Sequence, residues 1–254
     1  MNDLTANLLI LLAGFLSSAI DTLAGSGSAV SLPILVFLGM PANIANATNR
    51  MGLLAGSVAA ILTFQRAKAL DWPVGIILCA PVILGTAVGA EIASLLNAKE
   101  IGWVIFAAIA VTFIVLVSNP KQLLKEHSAE KPSVNRWKLL VFFAIGVEAG
   151  FITIDSSAYL LFALVLLVGY NLVKANAVKS LLHFCVSLTS LLVFAGNHEV
   201  DWHRGLYLAL GSVAGAWVGG LLAMRPWVKV WIFRLLLVII AVELIKLSHE
   251  HGLI

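Results

Sequence analysis

Long apolar runs separated by short polar stretches dominate the chain. Asp, Glu, Lys and Arg are absent from four runs of 18 to 20 residues, at 72–90, 101–120, 156–173 and 205–224. A helix needs roughly 20 apolar residues to cross the hydrocarbon core of a bilayer. Because lipid offers no partner to backbone polar groups, such runs must be helical. The pattern therefore predicts an all-α polytopic membrane protein.

Composition and charge support this class. The chain is 61% hydrophobic and 11% charged, whereas soluble domains carry about 25% charged residues. The net charge is +3 and the basic residues are spread over loops, so no nucleic-acid-binding surface is expected. No basic segment precedes the first apolar run, so it is interpreted as a membrane segment and not as a cleaved signal. Cys79 and Cys185 lie inside apolar runs and are expected to be small core residues.

The sequence repeats itself after 130 positions without a gap. The matching pairs are Gly39 and Gly169, Asn46 and Asn176, Ser57 and Ser187, Asp71 and Asp201, Trp72 and Trp202, Gly75 and Gly205, Gly85 and Gly215, and Gly89 and Gly219. Repeated units of this kind indicate duplication. The predicted organisation is a first membrane repeat at 1–118, a polar linker at 119–136 and a second membrane repeat at 137–254.

Each repeat is predicted to contain about five helical segments. These are 4–20, 30–38, 45–64, 72–96 and 101–117 in the first repeat, and 139–154, 158–168, 175–194, 205–223 and 228–247 in the second. The second segment is short: about 9 helical residues rise only ~14 Å, half of a ~30 Å core. The first two segments of each repeat are therefore predicted to form a broken or re-entrant hairpin. Because the number of segments per repeat is odd, the second repeat is predicted to be inverted.

Basic residues are distributed unequally between the two predicted sides. One side carries Arg66, Lys68, Lys121, Lys125, Lys131, Arg136, Lys174, Arg225 and Lys229, and the other carries Lys99, Arg204 and Lys246. Lys and Arg concentrate in cytoplasmic loops. The linker is therefore predicted to be cytoplasmic, and both termini non-cytoplasmic.

Both hairpins contain a polar break between apolar segments. The first break holds Ser26, Gly27 and Ser28, and the second holds Ser156 and Ser157. Broken helices in inverted-repeat transporters place backbone groups and helix ends around a midplane substrate site. The alternative is that these serines only cap the following helices.

Ionisable residues inside apolar segments are the candidates for coupling and binding. Asp21, Asp155, His183 and Glu148 could carry a coupling proton, since intramembrane acids are costly and usually line a pathway; a structural ion pair or helix-to-helix bond is the alternative. A second set could bind an anion and consists of Arg50, Lys179, Asn46, Asn49 and Asn176. The alternative for the two cations is snorkelling to the interface.

These motifs resemble the TauE/SafE family, which includes sulfite exporter-like proteins. The resemblance rests on the break at 25–28, Pro33, the LGMP run at 38–41 and Thr48-Asn49-Arg50, and in the second repeat on Gly169, Asn176, Lys179 and the VDW run at 200–202. It covers nearly the whole chain. Two departures concern the breaks: the first is thinned to AGSGS, and the second is glycine-poor, GFITIDSS.

The resemblance implies secondary transport of a small sulfur oxyanion or organosulfonate, such as sulfite or sulfoacetate, across a bacterial-type inner (plasma) membrane. Proton coupling with alternating access is expected, with sodium left open. The alternatives are a passive anion channel or facilitator, a membrane-embedded enzyme and a partner subunit. The sequence lacks an HExxH motif and a nucleophile elbow, so no enzymatic activity and no cofactor are expected. The expected partners are the anion, protons, the bilayer and a second copy of the chain.

Overall fold

A computed structural model describes residues 3–95, 132–151 and 156–225. All regular structure in these ranges is helical. Its eight α-helices are α1 (Asp3–Ala24), α2 (Ser28–Phe37), α3 (Ala42–Arg66), α4 (Trp72–Leu95), α5 (Arg136–Phe151), α6 (Ser156–Ala163), α7 (Leu172–Gly196) and α8 (Trp202–Ala223). A π-helical turn, Leu164–Val168, extends α6. The segments predicted at 101–117 and 228–247 lie outside the described residues.

The described helices have the surface of a membrane protein. Four are long and apolar enough to cross a bilayer, at Leu4–Leu23, Trp72–Ser94, Leu172–Gly196 and Trp202–Ala223. Leu192 and Leu206 on two of them are 66% and 56% exposed, whereas Arg50 and Lys179 are fully buried. Apolar groups outside and charges inside suit a lipid environment. The predicted all-α membrane class is confirmed.

Glycines bring helices from the two halves into direct contact. A Cβ added to Gly211 or Gly215 on α8 would meet the α1 backbone, and one at Gly85 or Gly89 on α4 would meet that of α5. Small residues of this kind allow close helix packing in membranes. The contacts define a first bundle (α1, α2, α3 and α8) and a second bundle (α4, α5, α6 and α7).

Local structure repeats at the offset of 130 positions. α3 and α7 each hold 25 residues and begin at positions 42 and 172. Gly39 and Gly169 end the short legs with φ angles of 82° and 91°. The carboxylates of Asp71 and Asp201 each accept a hydrogen bond from the backbone N–H three residues later, at the start of α4 and α8. The two halves thus form matching elements in the same order.

α3 and α7 pack antiparallel across the contact between the bundles. Ala47, near the start of α3, lies in one apolar cluster with Phe194, near the end of α7. Phe64, near the end of α3, lies in another with Ala177, near the start of α7. Corresponding helices of the two halves therefore run in opposite directions at this contact.

The first helix is longer than the sequence pattern predicted. α1 continues through Asp21 to Ala24, so the predicted end at residue 20 is wrong. Gly25 ends the helix with φ 93° and donates its N–H to the Asp21 carbonyl at 2.9 Å, as glycine does at many helix ends. α2 then returns along α1, and the Ser17 and Ser31 hydroxyls meet at 3.1 Å.

Candidate substrate and coupling site

The two polar breaks touch each other where the bundles meet. Gly25 lies against the backbone of Ser157 and Ala158, and a Cβ on Gly25 would stand 2.5 Å from the Ala158 nitrogen. Only glycine fits both this contact and the positive φ. The described parts of the two breaks therefore lie together. Residues 152–155 of the second break, including Asp155, lie outside the described ranges.

Asp21, His183 and Ser157 form a buried cluster at this junction. His183 Nδ1 lies 3.1 Å from Asp21 Oδ2 and 3.2 Å from Ser157 Oγ. The His183 and Asp21 side chains are 2% and 13% exposed. The partner at one imidazole nitrogen sets the tautomer and orientation of the ring. His183 Nε2 is buried and has no hydrogen-bond partner among the described residues.

Lys179 reaches from α7 to the C-terminal end of α1. Its Nζ donates to the carbonyl oxygens of Asp21 at 2.5 Å and Thr22 at 3.4 Å, and Asn176 Nδ2 donates to the Leu23 carbonyl at 3.5 Å. The last carbonyls of a helix lack intrahelical partners and carry partial negative charge. These donors from the other half stabilise the last turn of α1, beyond the predicted end at residue 20.

Arg50 makes the reciprocal contact from α3 to the end of α5. Nη1 donates to the Ala149 carbonyl at 2.8 Å and Nη2 to the Gly150 carbonyl at 3.2 Å. The Glu148 carboxylate attracts the Arg50 guanidinium electrostatically. The guanidinium carbon also lies 5.5 Å from the centroid of the Phe194 ring, which is within cation–π range. Arg50 and Lys179 are both 0% exposed, so the snorkelling alternative is wrong.

Asn49 joins the serines of the first hairpin. Its Nδ2 donates to Ser28 Oγ at 3.1 Å, and Ser31 Oγ donates to its Oδ1 at 2.7 Å. Gly27 is the N-cap of α2, without a side-chain capping bond, and its carbonyl accepts from Ser17 Oγ at 2.8 Å. The Ser28 hydroxyl thus accepts a hydrogen bond from Asn49 and does not cap α2. Sequence reasoning missed Ser17 and Ser31, although the i, i+3 spacing of Ser28 and Ser31 on one helix face was a usable signal.

Several predicted residues present buried polar atoms without a hydrogen-bond partner among the described residues. They are Asn46 Oδ1, Asn176 Oδ1, Ser156 Oγ and Arg50 Nε, joined by Ser187 Oγ, which was not predicted. Ser26 is also fully buried. Buried polar groups are nearly always paired in native proteins, so these atoms require an explanation such as a ligand. No group of three His, Cys, Asp or Glu that could hold a metal occurs in the described part of the chain.

Comparisons with known proteins identify the family. The family model described as Sulfite exporter TauE/SafE matches residues 10–244. A "Probable membrane transporter protein" of Haemophilus influenzae is 28% identical over 242 residues, covering 92% of this chain and 94% of its own length.

Two further relatives carry the same description. YfcA of Escherichia coli strain K12 is 29% identical over 95% of this chain and 88% of its own. YunE of Bacillus subtilis is 22% identical over 93% of this chain and 96% of its own. No solved structure matches the chain. With a match over nearly its whole length and several apolar helices, the chain belongs to the TauE/SafE family of membrane transporters.

Proposed function

We propose that the chain is a proton-coupled secondary transporter of a small sulfur oxyanion or organosulfonate, working by alternating access. The observation that carries the proposal is the junction of the two breaks. There, Asp21, His183 and Ser157 meet in the membrane interior, and His183 Nε2 remains without a partner among the described residues. The substrate class follows the description of the family as sulfite exporters.

The transporter is built from two inverted repeats, 1–118 and 137–254. The antiparallel packing of α3 and α7 supports this arrangement, as do the matching elements at the offset of 130. Inverted repeats allow one half to rock against the other around a fixed midplane site. The junction at Gly25 and Ser157 is the position around which such rocking would alternate access.

Both termini face away from the cytoplasm, and the linker at 119–136 lies inside. The Tyr170 hydroxyl donates to Asp71 at 2.7 Å, so the loop after α3 and the loop before α7 share one side. The Asp201 N–H donates to Thr48 Oγ1 at 2.9 Å, which brings the loop after α7 to the start of α3. The side of Tyr170 also carries Lys68, and basic loops are typically cytoplasmic.

Proton coupling is assigned to the cluster of Asp21 and His183. Because Asp21 engages Nδ1, a proton taken up by the ring at Nε2 converts that atom from an acceptor into a donor. A donor at Nε2 can hold an anion, whereas an acceptor repels it, so proton and anion bind together. Glu148 and Asp155 are the further coupling candidates, on the second half.

The first donors proposed to hold the anion are Arg50 Nε and Ser156 Oγ, which are buried and have no hydrogen-bond partner among the described residues. Arg50 keeps its Nη atoms on the end of α5 and offers Nε to a ligand oxygen. Lys179, Asn46, Asn49, Asn176, Ser26, Gly27, Ser28 and Ser157 complete the proposed binding region.

The test is anion-dependent stability and flux of the purified protein. A ligand that binds only the folded form raises stability by RT ln(1 + [L]/Kd). We expect sulfite, thiosulfate or sulfoacetate to raise the melting temperature, and acetate not to. Proteoliposomes with an imposed pH gradient should accumulate the same anion. Arg50→Gln should lose the anion-dependent shift, while Lys174→Gln, an exposed change on α7, should keep it. A folded Arg50→Gln protein that binds normally would refute the anion site.

A further inference from the structure

Side-chain cations contact the C-terminal ends of α1 and α5, the first described helix of each half. Lys179 Nζ contacts the last-turn carbonyls of α1, and Arg50 contacts those of α5. In transporters with broken helices, carbonyls at half-helix C-terminal ends commonly coordinate the coupling sodium ion. Here the protein supplies its own positive charge at the equivalent kind of position.

We propose that Lys179 is a tethered cation that replaces a soluble monovalent cation at the end of α1, and that Arg50 does the same at the end of α5. The inference rests on the proposed secondary transport and specifies its coupling ion, which the sequence left open. Transport by this chain then needs no sodium, and the proton remains the driving ion.

Charge balance supports this assignment. Asp21 and Lys179 interact electrostatically, as do Glu148 and Arg50. Each helix end therefore already has one cation and one acid. An additional sodium ion on the same carbonyls would stand close to a buried positive charge, where like-charge repulsion is only weakly screened.

The two cations come from positions that the duplication does not relate. At the offset of 130, Lys179 falls on Asn49, and Arg50 falls on Ser180. The side chains also differ in length and shape. Both nevertheless reach the end of the first helix in the opposite half. The common feature is a positive charge at a buried helix end.

Removing the ammonium would leave a set of oxygen ligands. The carbonyls of Asp21 and Thr22 would lose the ammonium, while the Asp21 carbonyl keeps the Gly25 N–H, and the Asp21 carboxylate would remain beside them. Asn176 Oδ1 is buried and has no partner among the described residues, while its Nδ2 bonds to Leu23. Carbonyl and carboxylate oxygens are the ligands that hard cations prefer. Lys179→Gln should therefore acquire a dependence on a soluble cation.

The experiment measures the melting temperature of full-length protein in detergent, in NaCl, KCl or choline chloride at equal ionic strength and without substrate. Wild type should melt at the same temperature in all three salts. Lys179→Gln should melt roughly 5–10 °C lower in choline, since charge-assisted hydrogen bonds are lost. Sodium or potassium should restore part of this loss with a saturable concentration dependence. Lys174→Gln, on the same helix, should match wild type in every salt.

Three results would overturn the proposal. Saturable stabilisation of wild type by sodium would mean that a soluble cation binds in addition to Lys179. A Lys179→Gln protein as stable as wild type in choline, or one destabilised equally in all salts, would mean that no cation is needed at the end of α1. If Lys179→Gln does not fold, two measurements still test the proposal. They are the wild-type salt comparison and the melting temperature of Lys179→Arg, which is expected to fold and to show no salt preference. None of these readouts requires flux, so failure here is separate from failure of the transport proposal.

Discussion

Replacing Asp21 by Asn removes a carboxylate from the buried cluster while keeping the shape of the side chain. Asp21 lies 3.1 Å from His183 and the two side chains are 13% and 2% exposed. A hydrogen bond to a charged group contributes about 1.5–3 kcal/mol to the free energy of unfolding. Asn still offers an oxygen to Nδ1, so we expect the lower end, about 1.5 kcal/mol. For a chain of this size the melting temperature should then fall by ~3–6 °C.

The functional readout for Asp21→Asn separates driven flux from exchange. Proteoliposomes with an imposed pH gradient should lose accumulation of the substrate anion, because the variant cannot bind the coupling proton in the same way. Exchange of labelled for unlabelled anion at equal pH should persist. The control is Asp201→Asn at the start of α8, where Asp201 accepts from the Arg204 N–H and Asn caps equally well. Gradient-driven accumulation equal to wild type would show that Asp21 has only a structural role.

Three further predictions concern packing and the loops. Gly25→Ala adds a Cβ against the second break at a positive φ and should lower stability by about 1–3 kcal/mol, measured by thermal melting; Gly196→Ala, where a Cβ has open space, should not. Cys79 and Cys185 hold their Sγ atoms 3.3 Å apart, so a membrane-permeant oxidant should join them and block maleimide labelling. Driven flux should survive, because both helices belong to the second bundle. Burial, followed by the nearby Asp71 carboxylate, raises the pKa of Tyr170. The folded protein thus keeps a proton that the unfolded chain releases above about pH 10, and stability should fall there more for wild type than for Tyr170→Phe.

Hydropathy and duplication predicted most of the helices. Apolar length decides where a chain can cross a bilayer, and the segments predicted at 72–96, 175–194 and 205–223 correspond to α4, α7 and α8. The short legs followed from the same reasoning, since Gly39 and Gly169 do end them. Local patterns were sufficient here because each feature depends on neighbours within a few residues.

Contacts between distant residues could not be predicted. The first helix was predicted to end at residue 20, but it continues to Ala24, and Lys179, 158 positions after Asp21, donates to the Asp21 carbonyl in its last turn. The partner of Asp21 is His183, 162 positions away, and no periodicity links the two. The helix ends in the opposite half that Arg50 and Lys179 contact could not be anticipated from the sequence either. Such pairings depend on how the bundles fit together, which the sequence pattern does not encode.

The exchange of helices between bundles has a consequence for biosynthesis. α1 packs against glycines of α8, and α4 packs through its own glycines against α5. A nascent chain that has reached only α4 therefore lacks both α5 and α8. The tight surfaces around Gly14 and Gly85 lack the helices that they pack against until the second half has been inserted. Premature termination anywhere before α8 leaves the first helix without this packing surface. Assembly of both bundles is therefore tied to completion of synthesis.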